Sequence, residues 1–306
     1  VLNCFKILFL TILLYAGSVH AQHYPIISQY MFSGTVINPA YTGSRDVLSA
    51  TAIYRQQWTG FDGAPRTQSL FFHTPTLNPK NNFGVNLIHD QLGVSQHTMV
   101  YGTYAYRIPV AKSGRLAFGL QGGLSLLKDK WTNLITDEQG DEVFGADSPT
   151  FTVPRVGTGI YYDHKKWYVG LSMPFLLDYK NSDYRIYTEQ SLNYKPVLLS
   201  SGFLVRLNPD LLLKPSFLVK YLPESPLQAD LNMNLIIKNV FWIGGSYRSQ
   251  DAVVALLEYQ INPQFRFGYA YDYSLTDLRK VNSGSHEVML RYEFGYKLKA
   301  MSPRYF

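Results

Sequence analysis

The sequence predicts an all-β protein, a transmembrane antiparallel up-and-down β-barrel of the outer-membrane kind with about fourteen strands. Three observations carry this expectation. Only 16% of the 306 residues are charged, below the roughly 25% of soluble globular domains, while 24 Tyr and 18 Phe dominate the apolar share. A chain with so little charge turns much of its surface away from water. After the first segment no run of about 18 consecutive apolar residues occurs, which excludes a helical span. From about residue 47 onward, segments of about ten residues carry apolar side chains at every second position, and turn residues separate them. The formal net charge of +6 comes from basic residues scattered singly. They read as loop and lumen charges, with no nucleic-acid patch.

Taken in order, residues 1–21, "VLNCFKILFLTILLYAGSVHA", have the form of a secretory signal peptide. Lys6 supplies the positive element, Ile7 to Tyr15 the apolar run, and Val19-His20-Ala21 the small-residue cleavage pattern. The apolar run is too short to anchor the chain across a bilayer. Cys4, the single cysteine, lies within this segment. The rest of the chain therefore has no thiol for a disulfide, a thiolate metal site or a Cys nucleophile.

Residues 22–46 form a leader ahead of the first strand. Its stretch "SQYMFSGTVINPAYTG", Ser28 to Gly43, holds no charge, and Gly34, Asn38-Pro39 and Gly43 would break either a helix or a strand. Gln29, Asn38 and Tyr41 can satisfy backbone groups, while Met31, Phe32 and Ile37 need an apolar surface. The leader is expected to fold against the periplasmic mouth or into the lumen, positioned by the Asn38-Pro39 turn. Gln29, Met31, Phe32, Asn38, Pro39, Tyr41 and Gly43 are its candidate docking or partner-binding residues.

Residues 47–294 form the barrel. Strands are expected near 47–57, 66–74, 82–89, 98–108, 115–127, 155–162, 167–173, 197–206, 211–221, 228–238, 240–248, 251–260, 264–273 and 285–294. Many approach the nine to eleven residues that a tilted span needs, against the usual five or six. Successive side chains of a strand face opposite ways. Phe118, Leu120 and Leu124 thus share a greasy face that opposes Ala117, Gln121 and Ser125, and Leu231 and Met233 likewise oppose Asp230, Asn232 and Asn234. The small and polar faces suit a hydrated lumen. "LNPK" at Leu77, "LNPD" at Leu207, "INPQ" at Ile261, "DHKK" at Asp163 and "KN" at Lys238 fall at turns of one parity, expected in the periplasm. The opposite parity holds the long connections, Lys128 to Pro154 and Pro174 to Pro196, expected outside the cell. Trp58, Trp131, Trp167 and Trp242 sit at strand ends, as girdle residues do. A tail, 295–306, follows the last strand, and both termini are expected in the periplasm.

Ten charges alternate onto the expected inner face: Arg55, Arg206, Asp230, Arg248, Glu258, Arg266, Asp272, Glu287, Arg291 and Glu293. They read as a lumenal ion-pair network that fills and stiffens the barrel, the rival being a concealed acid–base pair. Other chemistry is missing from the pattern. His73, His89, His97, His164 and His286 are spread without metal-site spacing, and no G-x-S-x-G elbow occurs. "GLQGGLS" at Gly119 lacks the Lys and helix of a phosphate loop. No cofactor, metal or catalytic residue is expected, and the protein reads as a non-enzyme.

"QYMFSGTVINPAYTG", "YRQQW" at Tyr54, "GYAYDYS" at Gly268, "GSHEVMLRYEF" at Gly284 and the terminal "SPRYF" together resemble the PorP/SprF family of Bacteroidota membrane proteins. The resemblance runs over essentially the whole chain beyond the signal peptide. It implies an outer-membrane barrel of the type IX secretion system with a structural or binding role. The implied partners are translocon subunits, or secreted surface proteins with C-terminal sorting domains, including gliding adhesins, alongside outer-membrane lipid. The acidic tract "TDEQGDEVFGAD", Thr136 to Asp147, is the expected contact element in the long loops. The alternative function is a passive outer-membrane channel for small or hydrophobic solutes.

Overall fold

A computed structural model of the chain describes residues 27–110, 113–133, 145–177, 195–223 and 225–295. The signal-peptide segment, most of the acidic tract, much of the 174–196 connection and the tail beyond Gly295 lie outside the described residues. Among the described residues no helix is long and apolar enough to cross a membrane.

Fifteen strand segments form one closed antiparallel sheet. They are β1 (Leu48–Gln56), β2 (Arg66–Pro75), β3 (Asn81–Leu92), β4 (Ser95–Val110), β5 (Gly114–Asp129), β6 (Phe151–His164), β7 (Trp167–Met173), β8 (Val197–Phe203), β9 (Val205–Asn208), β10 (Leu211–Tyr221), β11 (Gln228–Ile237), β12 (Phe241–Arg248), β13 (Ala252–Gln260), β14 (Phe265–Ser274) and β15 (Ser285–Phe294). Each pairs with its neighbours in sequence, and β1 closes the ring on β15 from Leu48↔Phe294 to Gln56↔His286. The segments β8 and β9 both pair with β10 and are two halves of one stave: the register runs unchanged across Leu204, from Ser216↔Gly202 to Leu212↔Arg206, and shifts only at Leu207, between Leu211 and Leu212. The barrel therefore has fourteen staves.

The alternation sorts as the sequence predicts. Phe118, Leu120 and Leu124 point outward and are 45%, 57% and 46% exposed, while Ala117, Gln121 and Ser125 between them are buried. Such a surface is stable only against lipid, because each strand writes a continuous apolar band on the outside. All five short turns named above lie at the end where Leu48 meets Phe294, here termed the near mouth. Lys238 and Asn239 both adopt positive φ, 50° and 57°. That is the requirement of a tight two-residue hairpin turn whose twist matches its strands. The opposite end, the far mouth, carries the 130–150 and 174–196 connections.

Three expectations need correction. Trp242 does not join an interfacial girdle. It is buried in the lumen, with Phe32 edge-on at a centroid distance of 5.4 Å and the Lys214 and Arg266 head groups over its ring. The second residue of β12 happens to point inward, and near-end position alone does not fix the face. Arg206 is exposed on β9 at the near-mouth end of its stave, so it stands apart from the buried charges. The lumen, finally, is not simply hydrated. Ile53, Phe71, Met99, Ile236, Val254, Leu256 and Met289 point into it and form a buried apolar cluster with the leader.

Candidate functional site

The leader occupies the barrel interior. Residues 27–45 are all buried, and three single 3-10 turns, Tyr30–Phe32, Gly34–Val36 and Pro39–Tyr41, compact them. Breakers at Gly34 and Asn38-Pro39 keep the segment from becoming a strand, and its lack of charge permits burial without a counter-ion for each residue. Asn38 caps the third turn in extended conformation by accepting from the Ala40 amide at 2.9 Å, with Pro39 at the first helical position. The Asn38 amide donates onward to the carbonyls of Ile160 at 3.0 Å and Leu171 at 3.4 Å in the wall.

Wall residues are small where the leader presses closest. A Cβ added at Gly119 would lie 2.1 Å from the Ala40 nitrogen, and one at Gly159 2.1 Å from the Asn38 oxygen. Gly119 permits backbone-to-backbone approach, and Gly159 makes room for the Asn38 side chain. The "GLQGGLS" motif thus has a packing role, with Gly119 flush against the leader. Leader positions Met31, Phe32 and Ile37 join the lumenal apolar cluster, and Tyr41 stacks edge-on against Tyr161 at 5.5 Å and His73 at 5.9 Å. The Gly43 amide donates to His73 Nδ1 at 3.2 Å. Gly43 itself has φ +76°, a left-handed conformation that glycine adopts without strain.

Charges cluster at the far mouth, around the start of the described leader. Arg55 donates to Asp272 at 2.8 Å, to Glu287 at 3.2 Å and to the Ser28 hydroxyl at 3.0 Å. Arg248 reaches Asp230, Asp251 and Asp272, each at 3.2–3.3 Å, and also Ser28. Glu287 accepts the Ser28 and Gln29 amides, both at 2.8 Å, one on each carboxylate oxygen. The Ser28 hydroxyl donates to Asp272 at 2.7 Å. A second pair, Arg266 with Glu258 at 2.5 Å, lies near Trp242, and Arg291 bonds the Phe32 carbonyl. Of the ten inner-face charges read from the alternation, all but Arg206 are buried in the lumen.

The first described residues therefore lie at the far mouth, at the opposite end of the barrel from Phe294. The buried far-mouth carboxylates and guanidiniums hold Ser28 there, and Arg45 and Asp46 emerge at the near mouth beside Glu293 and Arg115. Sequence reading also missed Arg107, whose head group bonds Asp163 at 3.2 Å and the Ala40 and Thr42 carbonyls. The alternation Tyr101, Thr103, Ala105, Arg107 would have placed it inside.

The site is a packed and charge-paired plug. Among the described residues no group of His, Cys, Asp and Glu could hold a metal. Replacing Asn38 with Ala removes the cap and both wall bonds, and is expected to lower stability by about 2 kcal/mol in denaturant unfolding of the detergent-solubilised protein.

No curated protein matches the sequence. Among solved structures, the chain is similar to the toluene transporter TbuX of Ralstonia pickettii, with TM-score 0.51, 9% identity, and coverage of 92% of this chain and 97% of that one. It is equally similar to a TodX monoaromatic hydrocarbon channel mutant lacking S2 and S3, at TM-score 0.51, 11% identity and the same coverage. At these identities the likeness is one of fold, and it makes the barrel an outer-membrane type. A family model described as "Type IX secretion system membrane protein PorP/SprF" matches residues 19–292, so the chain belongs to the PorP/SprF family of type IX secretion membrane proteins.

Proposed function

We propose that this protein is a non-enzymatic, closed-lumen component of the type IX secretion apparatus that works by binding other proteins. It engages translocon subunits, or helps to export and hold secreted surface proteins that carry C-terminal sorting domains. The filled lumen is the observation that favours this reading most. A barrel whose interior is occupied by its own residues 27–45, bonded to the wall throughout, offers solutes no open path. The buried acids and bases are engaged by one another and by leader backbone, which leaves them poorly placed for proton transfer. In this reading the near mouth with its short turns faces the periplasm, and the longer far-mouth loops face outward and supply the partner-binding surface.

Co-purification from the native outer membrane in mild detergent tests the proposal. Type IX secretion components or their cargo are expected with the protein, and recovery of none would overturn it. The filled lumen disfavours the passive-channel alternative, which planar-bilayer recording addresses separately. The intact protein is expected to show no steady conductance, whereas deletion of residues 27–45 opens at least a tenfold larger current. A steady open current from the intact chain would favour the channel.

A further inference from the structure

One ladder of the barrel differs from all the others. Every other strand pair joins neighbours in sequence, but the β1–β15 seam joins residues separated by almost the whole chain, such as Leu48 and Phe294. Closing it is the most entropically demanding pairing in the fold.

The two ends of the described leader contact the inside of that seam, while its middle, Ile37 to Thr42, packs against β4 to β7. The inward-facing residues of β15 are Ser285, Glu287, Met289, Arg291 and Glu293, all buried. Glu287 holds the Ser28 and Gln29 amides, and its backbone carbonyl accepts from the Gln29 side chain at 3.3 Å. Arg291 bonds the Phe32 carbonyl, and Glu293 pairs with Arg45 at 3.6 Å. Met289 belongs to the same apolar cluster as Phe32. The inner face of the last strand is therefore contacted from far mouth to near mouth by a segment that leads directly into the first strand. On the β1 side, Arg55 grips Ser28 and Glu287 together, and Arg291 reaches Thr51 at 3.4 Å.

We propose that the leader is an internal template for barrel closure, which captures β15 by its inner face and delivers it in register to β1. Because the leader is tethered immediately before β1, each contact that it makes with β15 shortens the search for the seam. The plug is thus an assembly element as well as a stopper.

The test is refolding from urea into detergent micelles, followed by the heat-modifiable gel mobility of closed barrels, in a chain carrying Cys4→Ser. Ser28→Ala combined with Glu287→Gln, which weakens the template, is expected to slow closure about tenfold. Ser172→Ala, which removes the 2.5 Å bond from β7 to the Ile37 carbonyl, removes a leader contact away from the seam and leaves the closure rate unchanged. Deletion of residues 27–45 slows closure further, the barrel still forming at the reduced rate. A disulfide between Ala52→Cys and Leu290→Cys, directly opposed in the seam register and oxidised in urea before refolding, restores the closure rate of the deleted chain. The proposal is overturned if the seam variant affects only unfolding, if Ser172→Ala slows closure equally, or if the preformed disulfide fails to rescue the deleted chain.

Discussion

Replacing Arg55 with Ala is expected to destabilise the folded barrel by about 3–5 kcal/mol, the range for removing one partner of a buried ion pair. Arg55 is 2% exposed and lies between Asp272 and Glu287, which are themselves buried. Its loss leaves the far-mouth carboxylates Asp230, Asp251, Asp272 and Glu287 facing Arg248 as their remaining close guanidinium. Asp272 keeps Arg248 and the Ser28 hydroxyl, but Glu287 keeps only the two leader amides and the Gln29 side chain at its backbone. Water cannot readily compensate, because the leader fills the space beside them. The temperature at which the folded form converts to the unfolded form in detergent reports the loss. Arg55→Met combined with Glu287→Gln, which removes both charges and retains their volume, is expected to recover part of the stability. If Arg55→Ala melts like the parent, the far-mouth network does not hold the leader.

The second large effect is expected at Gly119. Valine suits a strand and its branched side chain favours the pleated wall. Its Cβ, however, would meet the Ala40 nitrogen at 2.1 Å and the Pro39 carbonyl carbon at 2.5 Å. Those are backbone atoms of a capped turn and cannot swing aside as a side chain would. Gly119→Val therefore keeps the barrel and unseats the leader around Asn38 to Thr42, at a cost of at least about 1–3 kcal/mol of overpacking. Planar-bilayer recording should show a current absent from the parent. Gly122→Val on the same strand is the control: an added Cβ there meets nothing within 4 Å, and neither conductance nor stability should change. A silent Gly119→Val barrel would mean that the leader does not seal the lumen at this level.

Much of the wall was legible from residue order. The bounds expected for 167–173, 211–221 and 285–294 are those of the strands observed, because each is flanked by a turn residue or a proline that stops the alternation. Asp230, Glu258, Asp272, Glu287 and Arg291 could be assigned to the interior by counting in twos. Trp242 failed the same exercise because its position near a strand end was weighed above its parity with Gly244 and Ser246. Arg206 failed because it keeps the parity of the buried Leu198 and Ser200 but lies beside the near-mouth turn, and counting in twos fixes the face without fixing the depth along the barrel. Arg107 and Lys214 were passed over although both alternate with inward-facing residues.

For the leader, the sequence told that an uncharged, aromatic and glycine-broken segment needs an apolar surface. It left open whether that surface was the rim or the lumen. By itself the chain determined the closed, lipid-facing cylinder, because period-two alternation is a local property that each strand carries independently of its partners. Only the tertiary structure decided that the cylinder is stoppered, and by which residues. Alternation leaves an inner face of small, polar and some apolar residues whether it holds water or protein, and the difference lies in the fit of Ala40 on Gly119 and of Ser28 between Arg55 and Glu287, contacts between positions far apart in the chain.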